Sequence, residues 1–342
     1  MLQLAINNLV KGQNLEEKEI IEAMEIIMSG RATSAQIAGF LTALRIKGET
    51  IEEITGCARV MIEKAEKISP KLDYYIDTCG TGGDGAHTFN ISTAAAFIAA
   101  AGNVPVAKHG NRSVSSKCGS ADVLEALGVN INLTPAQVEK CIEMTGIGFL
   151  FAPSFHKSMK YAAATRKELG IRTIFNILGP LTNPALAKGQ IMGVYDKKLI
   201  RPVAFVLKNL GVERALIVHG EDGLDEITLT GNTFVCELKD GQITEYIIHP
   251  KDFGLELCNL SDLQGENAEQ NAKIIRDIFN NVKGHKMNIV LLNSAAAMYV
   301  GKKVSGIQEG IEKSIELIET GKAKKKLQEL IEYTNSVKEV TT

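Results

Sequence analysis

From Tyr74 onward, short apolar runs alternate with longer stretches of helical period, and few folds accept that rhythm. Tyr74–Asp77, Val104–Ala107, Gly148–Ala152, Ile191–Tyr195, Ala215–Val218 and Asn288–Leu292 read as strands. Ser92–Ala101, Ser120–Leu127, Thr134–Met144, Ser154–Leu169, Lys197–Leu210, Asn267–Phe279 and Gly306–Glu319 read as helices. Such alternation implies a mainly parallel sheet covered by helices. Thr233–Leu238 and Ile243–His249 flank Lys239-Asp240-Gly241-Gln242, a turn signal that adds an antiparallel hairpin.

Before Tyr74 no strand pattern occurs. Asn14 with Glu17, Thr33 with Gln36 and Thr50 with Glu53 have capping-box spacing ahead of apolar-periodic runs, and Gly30 and Gly48 stand where helices end. The expected fold class is therefore α/β with two parts. A small all-helical N-terminal domain spans 1–70 and is joined by part of 165–190. A large α/β domain with a mainly parallel central sheet spans 71–342. A chain of 342 residues has room for both.

Composition excludes several partners. Lys and Arg number 38 against 40 Asp and Glu, a net charge of −2, which leaves no basic bias for nucleic acid or an anionic membrane. Trp is absent and aromatics are 5%, too few for base-stacking platforms. No apolar run approaches the roughly 18 residues of a spanning helix. Met1–Gly12 carries polar Gln3, Asn7 and Asn8 in an amphipathic pattern and reads as a helix, not a signal peptide. Cys57, Cys79, Cys118, Cys141, Cys236 and Cys258 form neither CxxC nor zinc spacing, the usage of reduced, cytoplasmic thiols.

Ligands of a parallel sheet meet the C-terminal ends of its strands, and four polar clusters fall there. The first is Asp77-Thr78-Cys79-Gly80-Thr81-Gly82-Gly83-Asp84-Gly85. A loop with so few side chains lets an anion reach backbone N–H groups, and a helix N-terminus follows at Ser92. Gly80, Gly82 and Gly85 also satisfy GxGxxG, but no Asp or Glu occurs between Ala86 and Ala121, where a dinucleotide site needs one. A purely structural glycine turn is the alternative. Asn90, Ser92 and Thr93 place three polar side chains beside the loop, more than a cap requires.

The second cluster, Lys108-His109-Gly110-Asn111-Arg112 through Ser120, mixes cations, hydroxyls and glycines without an acid, as a pyrophosphate would want; a solvated basic loop is the bland reading. The third is Gly223-Leu224-Asp225-Glu226, whose adjacent carboxylates suit Mg2+ or merely form an exposed acidic turn. The fourth is Arg166, which alone reads as a surface residue.

Taken together, Asp77 to Asp84, Lys108 to Arg112, Gly119-Ser120-Ala121-Asp122-Val123-Leu124-Glu125 and Asn176-Ile177-Leu178-Gly179-Pro180-Leu181-Thr182-Asn183-Pro184 resemble the signatures of the anthranilate phosphoribosyltransferases, in order along the whole chain. The resemblance implies a fold of the nucleoside phosphorylase/phosphoribosyltransferase type. It implies transfer of 5-phosphoribose from phosphoribosyl pyrophosphate (PRPP) to the amine of anthranilate, in tryptophan biosynthesis, by a cytoplasmic homodimer that uses Mg2+. Pyrimidine nucleoside phosphorylases, with a different glycine loop, are the alternative. By resemblance, Gly80, Gly83, Asp84, Thr88, Asn90, Ile91, Ser92, Thr93, Lys108, Asn111, Arg112, Ser115, Ser116 and Ser120 meet PRPP. Gly80, His109, Asn111, Arg166 and Pro180 meet anthranilate or line its path. Ser92, Asp225 and Glu226 hold the metal, and Lys108, Asp225 and Glu226 carry the catalytic charge.

Overall fold

The structure is a computed structural model that describes residues 1–113 and 117–337. Four helices come first: α1 (Leu2–Val10), α2 (Glu17–Met28), α3 (Ser34–Lys47) and α4 (Ile51–Glu63). Thr33 and Thr50 make the reciprocal capping boxes that their spacing predicts, with Gln36 and Glu53. Asn14 does not. The box that opens α2 is Glu16 with Glu19, while Asn14 accepts a hydrogen bond from Lys47 Nζ at 3.0 Å. Two acids at the same spacing compete for one helix start, and the chain uses the later pair.

The remainder begins with β1 (Ile76–Gly80), α5 (Ile91–Ala101), β2 (Val106–Gly110), α6 (Ser120–Leu127), α7 (Pro135–Thr145) and β3 (Ile147–Phe151). Then come α8 (Ala152–Phe155), α9 (Lys160–Leu169), α10 (Phe175–Leu181), β4 (Gly189–Gly193), α11 (Ile200–Asn209) and β5 (Arg214–Gly220). The hairpin β6 (Thr233–Lys239) and β7 (Gln242–Ile248) precedes α12 (Ala268–Phe279), α13 (His285–Val300), α14 (Ile307–Glu319) and α15 (Lys322–Ser336). Two sequence expectations fail. Ser154–Leu169 is not one helix but α8, a 3-10 turn and α9. Asn288–Leu292 is not a strand; it lies inside α13, which is buried on nearly all sides. A helix that is apolar all round loses its periodicity, so the run of four apolar residues imitates a core strand.

The seven strands form one sheet in the order β3-β2-β1-β4-β5-β6-β7. The first five are parallel, and the hairpin closes one edge antiparallel. Strand alternation sends Ile191, Leu216 and Val218 into one core with α5 and α13, and Met192, Ala215 and Ile217 into the other. That second core also takes in α1 to α4, α10 and α11, so the helical bundle rests on one face of the sheet. From β1 the chain moves outward to β2 and β3, then returns to the other side at β4. The order therefore reverses between β1 and β4, and a crevice opens beyond their C-terminal ends.

Candidate active site

The glycine loop leaves β1 at that crevice. Gly82, Gly83 and Gly85 all have φ between 65° and 76°, a region that side chains resist. Thr81 ties the loop to β4: its N–H donates to the Gly193 carbonyl at 2.9 Å, and its Oγ1 accepts from the Tyr195 N–H at 3.0 Å. The Arg172 guanidinium donates to the Gly83 carbonyl and lies 4.3 Å from the Tyr195 ring centroid.

The acidic turn after β5 folds back over this loop. A Cβ on Gly193 would fall 1.6 Å from the Asp225 carbonyl oxygen, and one on Gly80 2.3 Å from Asp225 Oδ2. Asp225 Oδ2 accepts from the Gly82 N–H at 2.7 Å, and Glu226 Oε1 from the Ser92 N–H at 3.1 Å, in the first turn of α5. Two amides of an anion cradle are thus held by the protein's own carboxylates. Asp84 Oδ2 stands 3.4 Å from the Asp225 N–H. Burial, then the charges of Asp84 and Glu226, hold the Asp225 carboxyl well above its usual range. Burial pushes Glu226 up to about 7. Carboxylates that are desolvated and repel one another are suited to a cation. Among the described residues no three His, Cys, Asp or Glu side chains cluster as a metal site, so Mg2+ on this pair would need further oxygens, from Ser92 and from a ligand.

Lys108 lies under the loop at 3% exposure, its ammonium on the Thr78 carbonyl and 3.4 Å from Ser92 Oγ. Burial lowers its pKa, and buried Asp77 opposes the shift. Asp77 accepts from the His109 N–H at 3.1 Å and from Asn183 Nδ2 at 2.8 Å. Arg166, half-buried on α9, stacks 4.9 Å from the Phe175 ring centroid, and its side chain makes no ion pair or hydrogen bond with the described residues. His109 and His156 sit with ring centroids 5.1 Å apart. Burial first, then mutual charge, lowers His109 to about 3, and burial lowers His156 to about 4, so both are neutral at pH 7.

The family described as "Glycosyl transferase family, a/b domain" matches residues 72–324, and its "helical bundle domain" matches 3–65. An anthranilate phosphoribosyltransferase of Acetivibrio thermocellus is 65% identical over 336 residues, 98% of this chain and 97% of that protein. The crystal structure of the Thermus thermophilus enzyme superposes with a TM-score of 0.92 at 41% identity, covering 97% of this chain and 99% of that one. The Saccharomyces cerevisiae enzyme in complex with PRPP and Mg gives 0.91 at 28% identity over 98% of each chain; its complex with 4-fluoroanthranilate gives 0.89. The chain belongs to the anthranilate phosphoribosyltransferase family.

Hydrogen bonds join Gly82, Asp84, Ser92, Lys108, Asp225 and Glu226 into one network of this phosphoribosyltransferase fold, with Gly80 and Gly83 in the same loop. Other expected site residues stand differently. Ile91 and Thr93 have buried side chains, the Thr93 hydroxyl without a partner, so only their backbones can face a ligand. Thr88 is half-buried in an isolated bridge with Gln264. Asn90 turns to the neighbouring loop: its Nδ2 donates to the Cys118 carbonyl and its Oδ1 accepts from Asn271.

The basic cluster is not free of acids in space, as it is in sequence. Arg112 grips Glu125 and, at 3.0 Å, Asp122. Asp122 also accepts from the Ser113 and Gly119 N–H groups, while Ser120 Oγ donates to the exposed Asn111's carbonyl. Ser115 and Ser116 lie outside the described residues. Pro180 is buried in α10, its carbonyl accepting from Gln190 at 2.7 Å. The sequence reading missed Arg172, Asp77 and Asn183, which organise this candidate site. Asp77 and Asn183 stand inside motifs that it quoted, which was the available signal.

Proposed function

We propose that this chain transfers the 5-phosphoribosyl group from PRPP to the amine of anthranilate, forming N-(5-phosphoribosyl)anthranilate and pyrophosphate, the second step of tryptophan biosynthesis from chorismate. One observation carries the reading at the level of residues: the Asp225–Glu226 turn lies directly on the glycine loop at the β1–β4 crevice.

The aryl amine is neutral at pH 7, so its lone pair needs no base. The costly event is cleavage of the C1–O bond to pyrophosphate, which leaves oxocarbenium character on the ribose while the amine nitrogen forms the new C1–N bond and then gives up one proton to the released pyrophosphate or to water. Rate then depends on receiving the pyrophosphate charge and on aligning the amine. The Gly80–Asp84 loop, Ser92, Lys108, Asn111, Arg112, Ser115, Ser116 and Ser120 would bind PRPP. Asp225, Glu226 and Ser92 would hold Mg2+, which when bound neutralises charge on the departing pyrophosphate. Arg166 would clamp the anthranilate carboxylate, and neutral His109 with Pro180 would line the way to it.

The proposal includes a two-part chain dividing near residue 70 and a cytoplasmic homodimer. Six free thiols suit a reducing compartment. No helix among the described residues is long and apolar enough to cross a membrane. A partner copy would cover Leu4, Val10 and Ile46, which the helical bundle leaves exposed. A pyrimidine nucleoside phosphorylase is not favoured, because identity to the anthranilate enzymes runs the length of the chain. The decisive assay mixes protein, anthranilate, PRPP and Mg2+ and follows the loss of anthranilate fluorescence. No loss, or phosphate-dependent release of uracil from uridine, overturns the reading.

A further inference from the structure

A cleft of about 550 Å3 opens at the opposite end of the strands, where β5 begins and β6 ends, lined by Glu213, Arg214, Lys239, Asp240, Gly241 and Lys302. Arg214 begins β5, whose seven residues separate it from the acidic turn by about 20 Å at the usual strand rise. Arg214 and Lys239 are direct cross-strand partners on β5 and β6. Two cations facing each other across a ladder repel. Both stand near one ring, Tyr299, with Arg214 3.8 Å and Lys239 5.8 Å from its centroid. The ring is pinned, because its hydroxyl donates to Glu237 at 2.6 Å.

Neither cation has an ion pair or side-chain hydrogen bond among the described residues, and the buried Arg214 Nε–H is without an acceptor. The acids nearby make no ion pair with either cation among the described residues. Glu213 is taken by Lys302 at 2.9 Å and Lys188 at 3.6 Å. Glu237 accepts from the Tyr299 and Tyr246 hydroxyls. Asp240 sits in the hairpin turn at φ 50°. The cleft is thus lined by a like-charged pair without an ion-pair partner, with Lys302 over the Tyr74 ring at its rim. Arg presents its donors in the geometry that a tetrahedral oxyanion accepts.

We propose that this cleft is a second anion site, distal to the active site, that takes the phosphate group of a small molecule between Arg214 and Lys239. Its volume admits a phosphate monoester as well as the free ion.

The test measures thermal unfolding of the full chain against inorganic phosphate or ribose 5-phosphate, at ionic strength held constant with NaCl. R214Q and K239Q are compared with the wild type. Neither residue belongs to the transfer site, so any phosphate effect at the active site is common to all three. The wild type is expected to gain Tm at phosphate concentrations about tenfold lower than either variant needs, the effect of losing one charge-assisted contact. Without phosphate K239Q should melt no lower than the wild type, because it removes a repulsion, whereas R214Q also gives up the guanidinium's contact with the Tyr299 ring. Crystals soaked in tungstate should show the anion between the two side chains. A larger gain with ribose 5-phosphate identifies an ester ligand; equal gains identify the free ion. Identical phosphate dependence in all three proteins overturns the proposal, as does a tungstate-free cleft. Should R214Q fail to fold, K239Q and the soak decide alone.

Discussion

The two halves of the candidate site solve their electrostatics in opposite ways. On the side proposed for PRPP the main charged groups and loop amides are partnered: Gly82 with Asp225, Ser92 with Glu226, Lys108 with Thr78, Arg112 with Asp122 and Glu125. On the side proposed for anthranilate they are not. Arg166 has only the Phe175 ring, and His109 Nε2 and both His156 nitrogens lie near backbone groups without hydrogen-bonding them. A ligand entering the first half must exchange places with contacts already made. A ligand entering the second meets unfilled donors. Mutations in the first half should therefore act on turnover and pH dependence, and those in the second on affinity.

The largest effect belongs to the acidic turn. Asp225→Asn/Glu226→Gln is expected to lower turnover roughly 10²–10³-fold, as for loss of a preorganised charge, and Lys108→Met to fall in the same range. Steady-state fluorescence assays with saturating PRPP and Mg2+ check this. Near-normal turnover would remove the pair from metal binding and erase the contrast between the halves.

The same turn should set a pH dependence. Glu226 titrates at about 7 in the ligand-free protein, against about 4.5 for an ordinary glutamate. A raised acid pKa means that the folded state holds the proton more tightly than the unfolded one. Native stability therefore falls as pH rises from about 4.5 to about 7, where the buried carboxylate must ionise. Glu226→Gln removes that dependence. Its Tm should match or exceed the wild type above pH 7, and the gap should narrow toward pH 4.5. Mg2+ affinity should weaken below pH 7 in the wild type. A variant that melts lower than the wild type at pH 8 would contradict the pKa and the exchange picture together.

How much of this was legible depends on how far apart in the chain the partners lie. Thr33 and Thr50 could be read because their partners are three residues away, and β1 to β7 because strand burial is a local pattern. Asn14 failed to local competition from Glu16, and Asn288–Leu292 because a fully buried helix shows no period. The glycine loop, the carboxylate pair and Lys108 were visible as residue types. What they do to one another was not: Asp225 meets Gly82 across 143 positions, and Asn183 meets Asp77 across 106. Arg112 misled in the other direction. Its acids begin ten residues on, past the end of the loop that seemed to lack them.

A smaller effect is expected for Arg166. Arg166→Ala should raise the KM for anthranilate about 10–100-fold, the range for a buried charge-assisted contact, and leave the KM for PRPP nearly unchanged. Lysine should not restore it, since an ammonium cannot offer a fork or stack on Phe175 in the same way. An unchanged anthranilate KM in Arg166→Ala would take the residue out of the site.

The smallest expected effect is at Arg172, and it sharpens the comparison most, because this side chain supports the glycine loop from outside without carrying any of its charge. It follows α9, six positions after Arg166, yet its guanidinium holds the Gly83 carbonyl. In a trans peptide the carbonyl and the next N–H point in opposite directions. Fixing the Gly83 oxygen on Arg172 therefore turns the Asp84 N–H away from it, at a residue whose glycine neighbours would otherwise let the peptide flip. Arg172→Ala frees that peptide without removing any group that touches the reacting bond. The KM for PRPP should rise about 3–10-fold, the scale of one surface-exposed hydrogen bond, with kcat nearly constant. Tyr195→Leu should reproduce part of the rise by taking away the ring on which the guanidinium rests. The double variant should then show less than the product of the two, since both act on one contact. Independent effects would mean that Arg172 and Tyr195 do not act through the same peptide.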